Sequence, residues 1–271
     1  MSDRTLERIA SLLAMAERTD NTAEADAFLM KAQQLATLTS IDLAVARARV
    51  ERREARQQPE ARTTQIGERG RRANPHLISL YVAIGHANEL RVDVASSSTY
   101  VIGYGMPADL DVVETMFSTL AVQMVQTGQA YVTAGTWRGE TYVAGRRDRR
   151  PHTAQTARAA FYRAYVARIG ERLEQARQET LRDRAVPRAQ RHDREVVLRQ
   201  KSREIGAFHR ATSQARGSWG GIASAAHPPA RTAGKGPRDQ RVGTADSASA
   251  RRARPSGSPR PSTCRWPACR S

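Results

Sequence analysis

The residues best suited to chemistry in this chain are arginines. Arg146, Arg147, Arg149 and Arg150 flank a single aspartate, and Arg158, Arg163, Arg168 and Arg172 follow along a stretch of helical periodicity. A guanidinium stays charged and meets a phosphate with a planar fork of donors. The run therefore reads as a nucleic-acid-binding face, where each neutralised phosphate adds salt-dependent affinity. A ribonucleoprotein or another acidic partner is a second possibility. The plainer reading is a solvated face, because 41 Arg against 3 Lys is the bias of a G+C-rich gene. Ion pairing of these arginines with the front of the molecule would instead make them internal glue. Phe161, Tyr162 and Tyr165 could stack on bases, but core packing explains them more simply. No RNP motif, zinc finger or DNA-reading helix accompanies the charge.

Other constellations are sparse. The histidines, His76, His86, His152, His192, His209 and His227, form no His-Glu-x-x-His pair, and no two stand at a helical ligand spacing. Cys264 and Cys269 lack a second ligand pair, so neither a metal nor a disulfide framework is expected. There is no Gly-x-Ser-x-Gly elbow. Gly103-Tyr-Gly-Met-Pro107 precedes a helix whose free amides could meet an anion, yet it lacks the lysine and spacing of a P-loop. A turn accounts for its glycines. Asp93, Asp109 and Asp111 are the carboxylates from which a hydrolase-like enzyme of phage or mobile-element type would be assembled. That enzyme is the alternative; a non-enzymatic nucleic-acid or ribonucleoprotein-associated module without cofactors is the main expectation.

The elements that must position these groups begin with a hairpin over 1–42. Leu6, Ile9, Leu13 and Ala16 recur at three- and four-residue steps behind Ser2. Thr19-Asp-Asn-Thr22 makes the turn. Thr22 is read as the cap of a second helix with a stripe of Ala25, Phe28, Leu29, Ala32, Leu35 and Ala36. One hairpin is too small to bury a core alone, so it must dock on something; a partner protein is one candidate. Ala14-Met-Ala-Glu-Arg-Thr-Asp-Asn-Thr-Ala-Glu-Ala-Asp-Ala27, with Lys31-Ala-Gln-Gln-Leu35, resembles the bacterial and phage family called domain of unknown function 2786 over about the first 42 residues. In that family the second helix usually ends in a basic or His residue followed by Gly-Ile-Asp; here Thr39-Ser-Ile-Asp42 stands instead. The resemblance implies no reaction, cofactor or substrate. Glu17, Glu24 and Asp26 are its polar residues of interest, and solvated helix-face charge suffices for them.

A charged linker or helix is expected over 43–73, interrupted by Pro59, Gly67 and Gly70. Residues 74–130 read as a helix–strand–strand–helix core. Asn74 and Pro75 open its first helix, Leu90, Val92 and Val94 alternate as a strand, Thr99–Tyr104 forms a second, and Pro107 opens the last helix. Residues 131–151 read as a basic loop, with Thr141-Tyr-Val143 as a possible short strand, and 152–216 as a basic helical pair parted at Pro187. Over 217–271 large apolar residues nearly vanish and seven of the twelve prolines fall there, so disorder is expected. This ending also has the composition of a G+C-rich gene read out of frame. The fold class is thus α+β, mainly α.

Charge follows the same partition. Residues 1–145 hold 15 Lys and Arg against 17 Asp and Glu, 146–216 hold 19 against 8, and 217–271 hold 10 against 2, which together give the net +17. No apolar run approaches the roughly 20 residues of a membrane span, and no signal-like start is seen. A cytoplasmic protein without a membrane partner is expected.

Overall fold

The computed structural model describes residues 3–19, 21–49, 57–144, 148–183, 185–215 and 219. Arg146, Arg147, Ser2 and the ending expected to be disordered lie outside the described residues, apart from Trp219. The chain is α+β with helix dominant. It runs α1 (Asp3–Arg18), α2 (Thr22–Ala48), β1 (Glu60–Gln65), α3 (Asn74–Ala87), β2 (Arg91–Val94), β3 (Tyr100–Gly105), α4 (Pro107–Ala134), β4 (Thr141–Ala144), β5 (Asp148–Pro151), α5 (Ala154–Leu181) and α6 (Arg188–Thr212).

Helices α1 and α2 form the expected hairpin, although Asn21 rather than Thr22 caps α2: its side chain accepts from the Ala23 amide at 3.0 Å. An Asn at this position satisfies an amide that the helix itself leaves unpaired. The dock for the hairpin lies within its own chain. α1 packs on α4 and α2 on α5, so Ile9, Leu13, Leu29, Ala32 and Ala36 join a core shared with α3, α4 and α5.

The stretch 43–73 departs from a linker or helix. α2 continues to Ala48, and Glu60–Gln65 is a strand, antiparallel to β3 in the order β1-β3-β2. Its burial alternates, but in Arg and Thr rather than large apolar residues, so no hydrophobic period marked it. Asn74 does not cap α3 from outside. It is the buried first residue, and its Nδ2 ties the carbonyls of Glu68 and Ser98 at 2.9 and 2.8 Å. The 131–151 segment is not all loop: α4 extends to Ala134, Gly135 ends it in the left-handed region (φ 68), and β4 pairs with β5.

The sheet lies against α3 and α4 through close backbone approaches. A Cβ at Gly103 would stand 2.7 Å from the Tyr81 hydroxyl, and one at Gly105 3.0 Å from Leu90. The two glycines expected at a turn are strand residues that admit neighbouring side chains. α5 is the central strut. Thr153 and Thr156 form a reciprocal capping box at its start. Tyr165, Ile169, Leu173 and Ala176 bury its stripe, as the periodicity requires, and α2, α3 and α4 all contact it. α6 then lies on α2 and the β2–β3 side of the sheet, burying Ile205 and Lys201.

Candidate functional site

The arginines expected to bind nucleic acid divide into two groups. Arg168 grips Asp26 of α2 with Nε at 3.1 Å and Nη2 at 2.8 Å, and Arg172 adds its Nε at 3.1 Å to the same carboxylate. Asp26 itself is only 16% exposed. A bidentate pair plus a third donor around a half-dry carboxylate is a structural clamp. These two arginines join the family-like hairpin to α5. Arg158 is also turned inward, donating to Gln129 of α4 at 2.8 Å. Arg163 is exposed on α5, and Arg149 and Arg150 are exposed on β5. The six of these arginines that are described therefore do not share one role: three are engaged within the fold and three are exposed.

α6 shows the same division. Arg177 on α5 reaches Glu89 at 2.9 Å, and Arg47 pairs with Glu204. Lys201, 3% exposed, places its Nζ 2.7 Å from Asp109 Oδ2, 3.2 Å from Glu89 Oε2 and 2.7 Å from Ser40 Oγ. Burial alone would push this ammonium down, but the two carboxylates outweigh it and hold it above its ordinary value. Glu89 sits in the left-handed backbone region (φ 65), where Gly or Asn is easier; its two cationic partners offset that cost. Lys201 is the sole lysine within 152–216. In a chain that otherwise uses Arg, this was the one signal of a specific site that sequence reasoning passed over.

The carboxylates of the hydrolase alternative are each engaged separately. Asp109 faces Lys201, and Asp111 accepts from Arg62 at 2.8 Å. Arg62 also meets Glu60 and Glu114, which raise its already high pKa against the lowering effect of burial. Asp93 accepts from His209 Nε2 at 2.9 Å and Ser213 Oγ at 2.6 Å. Burial raises the Asp93 carboxyl, yet hydrogen bonds from Ser213, His209 and Tyr104 win and hold it below the usual carboxylate range. The same contact, together with burial, pushes the Tyr104 phenol up to about 12. Ser213, His209 and Asp93 are thus neighbours, but serine and histidine both bond the carboxylate. Nucleophilic catalysis needs the serine on the histidine. The cluster anchors the end of α6 to the sheet.

Within 152–216, the described arginines that the pairing leaves over lie mainly on α6. The side chains of Arg182, Arg188, Arg194, Arg203 and Arg210 make no hydrogen bond or ion pair among the described residues, and nor does that of Arg163. Arg199, Arg203 and Arg210 stand at spacings of four and seven on the exposed side, which puts them on one helical face. Where α5 ends and α6 begins, a cleft of about 760 Å³ opens, lined by Arg177, Arg182, Arg191, Arg194 and Arg199 against Glu89 and Glu195. Ile41 and Leu198 contribute apolar wall. Periodicity could not reveal it, because its walls join the α5–α6 junction to α2 and the turn after α3, which are distant in sequence. Among the described residues no group of three or more metal-ligating side chains occurs, and no helix is long and apolar enough to cross a membrane.

Residues 4–43, within the hairpin, match the model of a family described as "Protein of unknown function (DUF2786)". Neither the curated proteins nor the solved structures return a match.

Proposed function

We propose that the protein is a nucleic-acid-binding module and that α6, rather than α5, carries the contact. The supporting observation is the division of charge: Arg168 and Arg172 are held by Asp26, whereas the side chains of Arg182, Arg188, Arg194, Arg203 and Arg210 have no ion-pair partner among the described residues. Exposed Arg149 and Arg163 extend the cationic surface from β5 and α5. Partly solvated guanidinium groups of this kind are ready to exchange condensed counterions for phosphates. A ribonucleoprotein would offer the same backbone. The inner stripe of the hairpin is already covered by α4 and α5, so a protein partner would meet its outer side.

Fluorescence anisotropy of a labelled single-stranded oligonucleotide across a salt series tests this reading. About five phosphate contacts on a single strand give a slope of log affinity against log salt near −3.5. The triple variant R188Q/R203Q/R210Q should lower the slope by about 2, while removal of residues 222–271 should leave most of the affinity. Absence of binding at 50 mM salt, or affinity lost wholly with the tail, refutes it.

A further inference from the structure

We infer that the cleft between the end of α5 and the start of α6 is a receptor for a terminal phosphate, so that the protein favours nucleic-acid ends bearing a 5′-phosphate; the identity of this ligand rests on the nucleic-acid reading above. The cleft differs from the rest of the basic surface in three respects. Its five arginines face two carboxylates, Glu89 and Glu195, leaving an excess of three positive charges in one concavity. Three of the five are pre-positioned by protein contacts: Arg177 on Glu89, Arg191 on the Asp183 carbonyl at 3.1 Å, and Arg199 on Glu195 at 2.5 Å. The other two, Arg182 and Arg194, have no partner among the described residues, so their forks remain available.

Shape and charge together select the ligand. A volume of about 760 Å³ accommodates one or two nucleotides rather than a duplex, and Ile41 and Leu198 give a base or sugar an apolar wall. Among the described residues no aromatic side chain lines the cleft, so base stacking contributes little there and recognition falls to the phosphate. An internal phosphodiester carries one negative charge. A terminal phosphomonoester carries between one and a half and two at neutral pH, with a second ionisation near 6, as phosphorylated side chains do. Two unpaired guanidinium forks meeting a dianion form bidentate, charge-assisted bonds that a diester cannot match in number. The preference for an end thus arises from charge count and concavity.

The test compares a labelled 12-nucleotide single strand with and without a 5′-phosphate, on the full chain, by anisotropy at 100 mM salt. The phosphorylated strand should bind about 10-fold more tightly at pH 7.5, and the ratio should fall toward 2 at pH 5.5 as the second proton returns. In R182Q/R194Q the ratio should drop below 2 while both strands still bind. The melting temperature should stay within about 2 °C of the parent, since neither side chain has a contact to lose. R182K/R194K, which keeps the charges without the forks, should recover only part of the ratio. Equal affinity for the two strands in the parent, or a ratio that survives R182Q/R194Q, overturns the cleft inference and leaves the nucleic-acid reading standing. If neither strand binds, the nucleic-acid reading falls. Titration of inorganic pyrophosphate by calorimetry then decides the cleft: heat that R182Q/R194Q abolishes assigns it to a free phosphate ligand, and no heat overturns it.

Discussion

Replacing Asp26 with Asn keeps the shape of the side chain and removes the charge that two arginines share. The clamp comprises three N–H···O contacts, at 2.8, 3.1 and 3.1 Å, on a carboxylate 16% exposed. Bonds to a charged group can contribute about 1.5–3 kcal/mol each when shielded, whereas fully exposed pairs contribute under about 1 kcal/mol in all. Arg168 and Arg172 are 31% and 39% exposed, which places the whole clamp between those limits, at about 2 kcal/mol. In a folded unit of 150–250 residues, 1 kcal/mol moves the melting temperature by about 2–4 °C. Asp26→Asn should therefore lower it by about 4–8 °C, read by circular dichroism. It also discharges a site beside two cations, so oligonucleotide affinity should rise. Arg168→Gln should lower the melting temperature comparably and leave affinity unchanged. The opposite result for Arg168→Gln, with affinity lost and melting unmoved, would show that this arginine faces the nucleic acid and would refute the clamp.

Lys201→Met leaves Asp109 and Glu89 facing each other without their shared ammonium, and removal of one partner from a buried pair costs about 3–5 kcal/mol. Urea unfolding should show that loss, with part of it recovered in Lys201→Met/Asp109→Asn; a loss below 1 kcal/mol contradicts the network. His76 lies edge-on to Tyr162, and burial, helped by Arg163, pushes its imidazole down to about 4. The unfolded chain takes up that proton near 6.5 and the folded chain only near 4, so stability is lost as pH falls through this window, by at most about 3 kcal/mol. Asp93, whose carboxyl is held low, adds a loss at more acidic pH, below the ordinary carboxylate value. Melting of His76→Phe between pH 7 and 4.5 should be flatter than that of the parent; parallel curves would exclude His76 as the cause.

Helices were legible wherever one residue in three or four was apolar. Leu110, Val113, Met116, Phe117, Leu120 and Met124 trace α4 to its buried face without ambiguity. β2 was legible because Val92 and Val94 alternate with Arg91 and Asp93, and β3 because Thr99–Tyr104 is rich in β-branched and aromatic residues. β1 was not, since Glu60-Ala-Arg-Thr-Thr-Gln65 satisfies its inward positions with Arg62 and Thr64, whose partners are Asp111 and Tyr81. The roles of the arginines were the least legible part. Arg163 and Arg168 look alike along the chain, and only the position of Asp26, 142 residues from Arg168, separates a surface charge from a clamp. Composition gave the amount of positive charge and could not give its spending.

Because α5 is the strut on which α2, α3 and α4 all rest, the first helices to be synthesised cannot complete their packing until Leu181 has been made. α2 ends at Ala48, and at 5–20 residues per second the ribosome needs roughly 7–27 s to cover that interval. During this time the apolar stripe of α2 has only α1 and whatever α4 offers to cover it. A nascent chain of this design is a natural client for a holding chaperone, and a message broken before the codons of α5 would yield a product marked for proteolysis.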